Sequence, residues 1–238
     1  METPRIIWSG DRTLHLVVGA GDSDAVAARV VMAERVLREA GADGSRGIVD
    51  VTPGSTSVQV TFRPDAVGGG GSAGLEAWIR ETVASCWADA GAVVEPREVV
   101  IPVCYGGDLG PDLAWLAERA GMSESEAVAA HTSAGHVVRF LGFAPGFAYI
   151  AGLSPALQAP RLESPRTRVP AGSVGVAGAR TGIYPAEAPG GWRLIGATPV
   201  RMFDPSREQQ ALLRAGDRVR FEPITRGEFD RMAAERRS

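Results

Sequence analysis

The sequence contains no lysine, so all 25 of its basic residues are arginines. This absence excludes a lysine Schiff base and also a phosphate-binding loop that holds its phosphate through lysine. Any anion that binds the protein must be met by arginine side chains, backbone N–H groups or a metal ion. The 28 acidic residues give a net charge of -3, which provides no basic surface for nucleic acid or for an anionic membrane.

Cysteine is scarce and long apolar runs are absent. Cys86 and Cys104 lie in apolar stretches without metal-ligand spacing, so we expect small buried side chains in a reducing compartment. Residues 1–12 show no basic region followed by an apolar stretch, and no run of about 18 apolar residues occurs elsewhere. We therefore expect a cytoplasmic protein without a signal peptide or a membrane span.

The first hundred residues alternate between strand and helix patterns in the order β-β-α-β-β-α-β. Apolar residues recur every three or four positions over residues 24–40, where Ser23 or Asp22 can cap a helix that Gly41 ends. The order predicts a small α+β sandwich over residues 1–103, with helices on one face of an antiparallel sheet.

The pattern then changes to two short helices followed by short β-like runs that Gly and Pro interrupt. Pro111 is placed to begin the first helix, and Ser123 and Glu126 form a capping box for the second. The β-like runs start at Val137 and are typical of an all-β barrel or sandwich. We therefore predict a mainly β barrel domain over residues 104–238.

The segment 141–192 combines dense Gly and Pro turns with arginine and aromatic side chains. Such turns expose backbone N–H groups that can hold an anion, and arginine adds planar donors. Residue chemistry alone leaves two interpretations open: a pocket for a small carboxylate or phosphate, or a barrel with tight corners. The candidate substrate-binding residues are Phe143, Arg161, Arg166, Gly172, Ser173, Tyr184, Gly190, Gly191 and Trp192.

Four motifs follow one another from Cys104 onward. They are C-Y-G-G-D-L-G-P-D-L at 104–113, L-G-F-A-P-G-F at 141–147, V-P-A-G-S-V-G-V-A-G at 169–178 and P-G-G-W-R-L-I-G-A-T-P at 189–199. Together they resemble the family of 5-oxoprolinase B subunits, also called allophanate hydrolase subunit 1. That family includes the Kip-type inhibitor of a sporulation histidine kinase. The likeness is dense over residues 101–224 and weaker before them.

The resemblance implies a small α+β domain followed by a cyclophilin-like β-barrel. It also implies ATP-dependent hydrolysis of 5-oxoproline, a cyclic amide, to glutamate, with no activity in the isolated chain. The implied partners are the enzyme's C subunit, which is a Kip-type barrel, and its A subunit. The implied cofactor is ATP with Mg²⁺, bound on this chain or on a partner. Two alternatives stay open: a regulatory inhibitor of a histidine kinase, and a component of an allophanate hydrolase or urea carboxylase type of system.

Given this resemblance, His131 and Asp108 are the candidates for proton transfer. His131 and His136 are five residues apart, which is not a standard metal-ligand spacing, so we predict no metal site on this chain. Two positions depart from the family pattern: Arg180 stands where the family carries glutamine, and Ala148 where proline often follows P-G-F. If residue 180 lines the pocket, its added positive charge would alter substrate preference.

Overall fold

A computed structural model of the protein describes residues 4–21, 23–68, 70–88 and 97–235. The chain divides into two compact units, Met1–Glu95 and Pro96–Ser238. The boundary lies earlier than the sequence predicts, because the strand Glu98–Tyr105 pairs with strands of the second unit and not with the first sheet. None of the described helices is long and apolar enough to cross a membrane.

The first unit is a four-stranded antiparallel sheet with two helices. Its strands are β1 (Arg5–Trp8), β2 (Thr13–Val17), β3 (Ile48–Pro53) and β4 (Ser57–Phe62), in the spatial order β1-β2-β4-β3. The helices are α1 (Asp24–Ala40) and α2 (Gly71–Ala88). The predicted α+β unit is confirmed, with the same order of elements up to α2.

Side-chain alternation explains why this sheet buries one face. In β4, Val58, Val60 and Phe62 are buried while their neighbours are partly exposed, which is the two-residue period of a strand. The helix α1 covers them with a stripe at helical spacing that includes Val30 and Leu37. The Ser23 hydroxyl accepts a hydrogen bond from Val26 N–H and caps α1, as predicted; the alternative cap, Asp22, lies outside the described residues.

The second unit is a closed barrel with a short ribbon and three helices. Seven strands close the barrel in the order β10-β7-β6-β13-β5-β12-β9, and β11 pairs with β8 in the ribbon. The strands are β5 (Glu98–Tyr105), β6 (His136–Leu141), β7 (Ala148–Ala151), β8 (Arg166–Val169), β9 (Ser173–Ala177), β10 (Arg180–Ile183), β11 (Ala188–Gly190), β12 (Arg193–Ala197) and β13 (Arg218–Pro223). The helices are α3 (Leu113–Ala120), α4 (Glu124–Thr132) and α5 (Arg226–Glu235).

Local signals set the ends of the short helices. Ser123 and Glu126 form the predicted capping box at the start of α4. Pro111 does not occupy the first position of α3, which was the prediction; the helix begins at Leu113 after Asp112. The reason is that Asp112 is used elsewhere: its backbone and side chain both bind Leu194 of β12.

Two glycines of the recognised motifs allow backbone segments to approach closely. A Cβ on Gly110 would lie 2.2 Å from the Ile195 carbonyl oxygen, and one on Gly172 would lie 2.4 Å from the Thr198 carbonyl oxygen. Gly172 also has φ +86°, a conformation that L side chains rarely adopt. These motif glycines therefore serve the packing of the barrel. Cys104 in β5 is buried as predicted, and burial raises the pKa of its thiol; the Cys86 side chain lies outside the described part of the chain.

Candidate functional site

An aromatic cluster packs against one side of the barrel. The ring of Phe147 meets Tyr149, Tyr184 and Trp192 edge-on, at centroid distances of 5.0, 5.3 and 5.4 Å. Such edge-to-face pairs place the positive edge of one ring on the negative face of another. Phe147, Tyr184 and Trp192 are buried, so they form a fixed wall.

A cleft with a volume of about 320 Å³ opens beside this wall. It is lined by Phe140, Tyr149, Arg161, Ala177, Gly178, Ala179, Arg180 and Trp192. The strand pair β6–β7 sets Phe140 opposite Tyr149, and their rings stack at 4.5 Å with an interplanar angle of 20°. The turn between β9 and β10 supplies the small residues and Arg180, whose guanidinium carbon lies 5.4 Å from the centre of the Phe140 ring.

The electrostatics of the cleft favour an anion. The described residues that line it include two arginines and no Asp or Glu. Among the described residues, no carboxylate forms an ion pair with Arg161. The backbone positions Arg161, because Leu162 N–H donates to the Gly191 carbonyl oxygen at 2.7 Å and Gly191 adjoins Trp192. Burial raises the pKa of the nearby Tyr184, while the Trp192 backbone and the charge of Arg161 act in the opposite direction.

A larger depression, of about 510 Å³, lies elsewhere on this unit, between the segment 199–207 and α5. Its charged side chains largely satisfy one another: Asp204 lies 3.7 Å from Arg201 and 3.4 Å from Arg207. The smaller aromatic cleft is therefore the better candidate site, since its Arg161 side chain forms no ion pair with a described carboxylate, whereas the charged side chains of the larger depression pair with one another.

The structure places Arg166 in an internal ion pair instead of in the cleft. Its Nη2 donates to Asp112 Oδ1 at 2.9 Å, and Asp112 Oδ2 accepts from Leu194 N–H at 2.6 Å. Arg193 lies 4.0 Å from the same carboxylate and stacks on Trp115, with its guanidinium carbon 3.7 Å from the ring centre. Asp112 is buried, so these arginines neutralise a charge that would otherwise be costly.

The predicted backbone donors are also partly occupied. Gly172 N–H donates to the Tyr184 carbonyl oxygen at 2.7 Å, and Ser173 N–H donates to the Pro170 carbonyl oxygen at 3.3 Å. Gly190 is needed for packing, because a Cβ there would lie 2.2 Å from the Tyr184 hydroxyl oxygen. An anion therefore cannot take the amides of residues 172 and 173 without breaking these hydrogen bonds.

Phe143 is adjacent to the aromatic wall and unusual in its backbone. Among the described residues it is the one non-glycine with positive φ, at +69°, and it is 62% exposed. Its ring lies 5.4 Å from Phe147 and 6.3 Å from Tyr184. Exposed aromatic surface and a strained backbone often mark functional positions.

His131 lies in the barrel interior, where both ring nitrogens are hydrogen-bonded. Its Nδ1 is 2.8 Å from the Tyr105 hydroxyl, and its Nε2 is 3.1 Å from Thr181 Oγ1. The Thr181 hydroxyl donates to the Gly175 carbonyl oxygen, so its oxygen accepts a hydrogen bond from His131 Nε2–H. His131 is therefore neutral, with Tyr105 donating to Nδ1. Burial, and then the neighbouring His136, hold its pKa well below the usual value.

The two candidates for proton transfer do not meet. His131 is 1% exposed inside the barrel, whereas the Asp108 side chain is 70% exposed and accepts from Arg226 Nη1 at 2.6 Å. Of the candidate residues named from the sequence, Arg161 and Trp192 line the cleft, and Tyr184 and Phe143 adjoin it through Phe147. Arg166, Ser173 and His131 lie elsewhere in the barrel.

Sequence reasoning missed Phe140 and Tyr149 as cleft residues and left open whether Arg180 lines the pocket. Phe140 lies within the string V-R-F-L-G-F at 138–143, but a single aromatic in a strand does not show which face it occupies. Here a register irregularity between Val138 and Phe140 sets the orientation of the ring. Arg180 was noticeable only as a departure from a family pattern, and the structure shows that it does line the cleft.

Comparison with known proteins gives the class of this chain. The family model named carboxyltransferase domain, subdomain C and D, matches residues 4–213. A relative from Escherichia coli O157:H7, named as the B subunit of 5-oxoprolinase, is 44% identical over 182 residues, which is 76% of this chain and 80% of that protein. A relative of the same name from Bacillus subtilis strain 168 is 50% identical over 136 residues, 57% of each protein. The chain belongs to the family of 5-oxoprolinase B subunits, as its motifs predicted.

Solved structures share the fold of this chain. The crystal structure of TTHA0988 is 37% identical, with a TM-score of 0.75 over 90% of this chain; the match spans 40% of that longer chain. The conserved uncharacterized protein PH0987 from Pyrococcus horikoshii is 34% identical, with a TM-score of 0.55 over 94% of this chain and 100% of that chain. Kluyveromyces lactis urea carboxylase, at 18% identity and a TM-score of 0.68, shares the fold.

The described residues do not fit a Mg²⁺ site. No group of three His, Cys, Asp or Glu among them is arranged to hold a metal ion, and the cleft lining contributes no carboxylate. Hard cations such as Mg²⁺ take oxygen ligands, mainly carboxylates and phosphates. We therefore assign no step of the chemistry to a metal held by this cleft.

Proposed function

We propose that this chain is the B subunit of a 5-oxoprolinase, which uses ATP to hydrolyse a small cyclic amide and acts only in complex with its partner chains. The observation that carries the proposal is the cleft of the barrel, whose described lining combines arginines with aromatic walls and includes no carboxylate. The identity of the chain to proteins named as B subunits of 5-oxoprolinase supplies the class of reaction.

The cleft can bind and orient a ligand, but it lacks most of the groups that would react with one. Apart from Tyr149, its lining includes no Ser, Thr, Cys, His, Asp or Glu that could serve as nucleophile or general base. A five-membered lactam is a stable amide, so its hydrolysis requires activation as well as positioning. The activating groups must then come from outside this cleft. This division of labour explains why the isolated chain would be inactive.

ATP is proposed as the co-substrate of the assembly, with its Mg²⁺ held by groups that the partner supplies. The barrel of this chain would position the amide, and the partner barrel, the C subunit, would complete the site. The A subunit would take part in ring opening. The protein would work in the cytoplasm, where ATP is available.

Co-expression with the cognate partner chains tests this proposal. We expect a stable hetero-oligomer by co-purification and light scattering, and ATP hydrolysis that depends on added 5-oxoproline. The alternative roles give different results: binding to a histidine kinase without turnover would indicate regulation, and urea-dependent turnover with a biotin carboxylase would indicate carboxyl transfer. A chain that stays monomeric beside its partner at micromolar concentration would contradict the proposed assembly.

A further inference from the structure

The arginines around the aromatic wall differ in whether they form ion pairs with carboxylates. Arg166 and Arg193 share the buried Asp112, and Arg168 pairs with Glu187 at 2.7 Å. Arg161 stands apart, because it forms no ion pair with any carboxylate in the described part of the chain. Its positive charge therefore faces a cleft whose described lining residues include no carboxylate.

The surroundings of Arg161 are aromatic. Trp192 and Tyr149 line the same cleft and meet edge to face, with ring centroids 5.8 Å apart and an interplanar angle of 65°; we call this pair the Tyr149–Trp192 wall. A rigid aromatic surface can hold a small ring by dispersion and exclude water from it. A volume of about 320 Å³ is at the lower end of the range for small-molecule sites, so the ligand is small.

Arg180 adds a second positive charge to the same cleft. It lies over the Phe140 ring, which in turn stacks on Tyr149, so the stacked pair keeps this guanidinium at the cleft. Arginine is also the side chain whose planar fork matches a carboxylate.

We infer that Arg161 forms the carboxylate-binding subsite of the cleft and that the Tyr149–Trp192 wall receives the ring of the same ligand. The ligand class is a small ring that carries a carboxylate. This inference rests on the proposed function, for which 5-oxoproline is such a molecule. Of the two candidate arginines, Arg161 and Arg166, it keeps Arg161, because the guanidinium of Arg166 is paired with Asp112.

Two probes that differ only in the carboxylate test the subsite: 5-oxoproline, and 2-pyrrolidinone, which is the same lactam without its carboxylate. Binding to the purified chain is measured by calorimetry or by NMR titration, for the wild type, for Arg161→Gln and for the matched surface control Arg168→Gln. We expect the wild type and the control to bind 5-oxoproline equally. Arg161→Gln should weaken that binding about 10- to 100-fold, the range for loss of a charged hydrogen bond.

The wild type should also bind 2-pyrrolidinone at least about 10-fold more weakly than 5-oxoproline, and Arg161→Gln should not change that weak binding. An unchanged dissociation constant in Arg161→Gln, equal binding of the two probes, or no binding of 5-oxoproline would each overturn the inference. The proposed function is judged separately. If the complex turns over 5-oxoproline and Arg161→Gln leaves KM unaltered, the proposed function stands and the subsite is refuted. If binding of 5-oxoproline depends on Arg161 but the complex does not turn it over, the subsite stands and the proposed function is refuted.

Discussion

Replacing Arg166 should destabilise the barrel and leave the cleft intact. In the wild type Arg166 neutralises Asp112, whose side chain is 10% exposed, while Arg166 itself is 28% exposed. Removing one partner of a fully buried pair costs about 3–5 kcal/mol, because a buried charge is left behind. Here Asp112 keeps the Leu194 N–H and has Arg193 at 4.0 Å, so the penalty is smaller. We expect Arg166→Met to lower the free energy of unfolding by about 1–3 kcal/mol.

A double-mutant cycle with Asp112→Asn makes this expectation specific. If the ion pair is the cause, the loss from Arg166→Met should shrink in the Asp112→Asn background, because the buried charge is then absent. Urea unfolding followed by circular dichroism gives the free energies, and Arg168→Met, at an exposed pair, is the control and should change little. The reasoning is refuted if Arg166→Met weakens binding of 5-oxoproline with unchanged stability, or if the effects of the two substitutions simply add.

Three further predictions concern the barrel. Burial lowers the pKa values of both His131 and His136, so below pH about 6.5 the unfolded chain binds more protons at these histidines than the folded protein does. The free energy of unfolding should therefore fall from pH 7.5 to 5.5, by up to about 1.4 kcal/mol per pH unit for each histidine below pH about 6.5, and His136→Gln should reduce that slope in urea titrations. An unchanged slope would show that other groups cause it. Gly172→Ala should destabilise the barrel severely, because its Cβ would meet the Thr198 carbonyl oxygen, whereas Gly178→Ala, also at positive φ but with nothing within 4 Å, should cost only about 1–2 kcal/mol. Equal melting temperatures for these two variants would contradict the packing argument. Finally, Arg180→Gln should weaken binding of 5-oxoproline less than Arg161→Gln does; a larger effect at Arg180 would make it the principal carboxylate ligand.

Local sequence signals predicted the elements well, and long-range pairing accounts for what they missed. The helix at 24–40 and the capping box at Ser123 depend on neighbours within a few residues, so the sequence displays them. The segment Glu98–Tyr105 was correctly predicted as a strand, but it was placed in the N-terminal sheet, whereas it pairs within the barrel. Its parallel partner β13 lies more than a hundred residues away, and nothing in a local pattern indicates that pairing.

The sequence predicted the types of residue in the candidate site, but not which individual residues line it. Its arginines and aromatics stand out in the segment 141–192, and Arg161 and Trp192 do line the cleft. Arg166 has the same chemistry, but Asp112 takes up its charge through a contact across 54 positions of sequence. His131 is likewise a polar residue that the fold buries, where Tyr105 and Thr181 hydrogen-bond both of its ring nitrogens. Only the fold shows which polar groups are satisfied internally and which remain available to a ligand.

The most direct test of the account is the release of glutamate from 5-oxoproline in the presence of ATP. It should be measured for the isolated chain, for the co-purified complex and for the complex that carries Arg168→Gln as a surface control. The account predicts turnover by both complexes and no more than background release by the isolated chain, whose cleft binds but lacks the activating groups. Robust release by the isolated chain, or none by the intact complex, would contradict it.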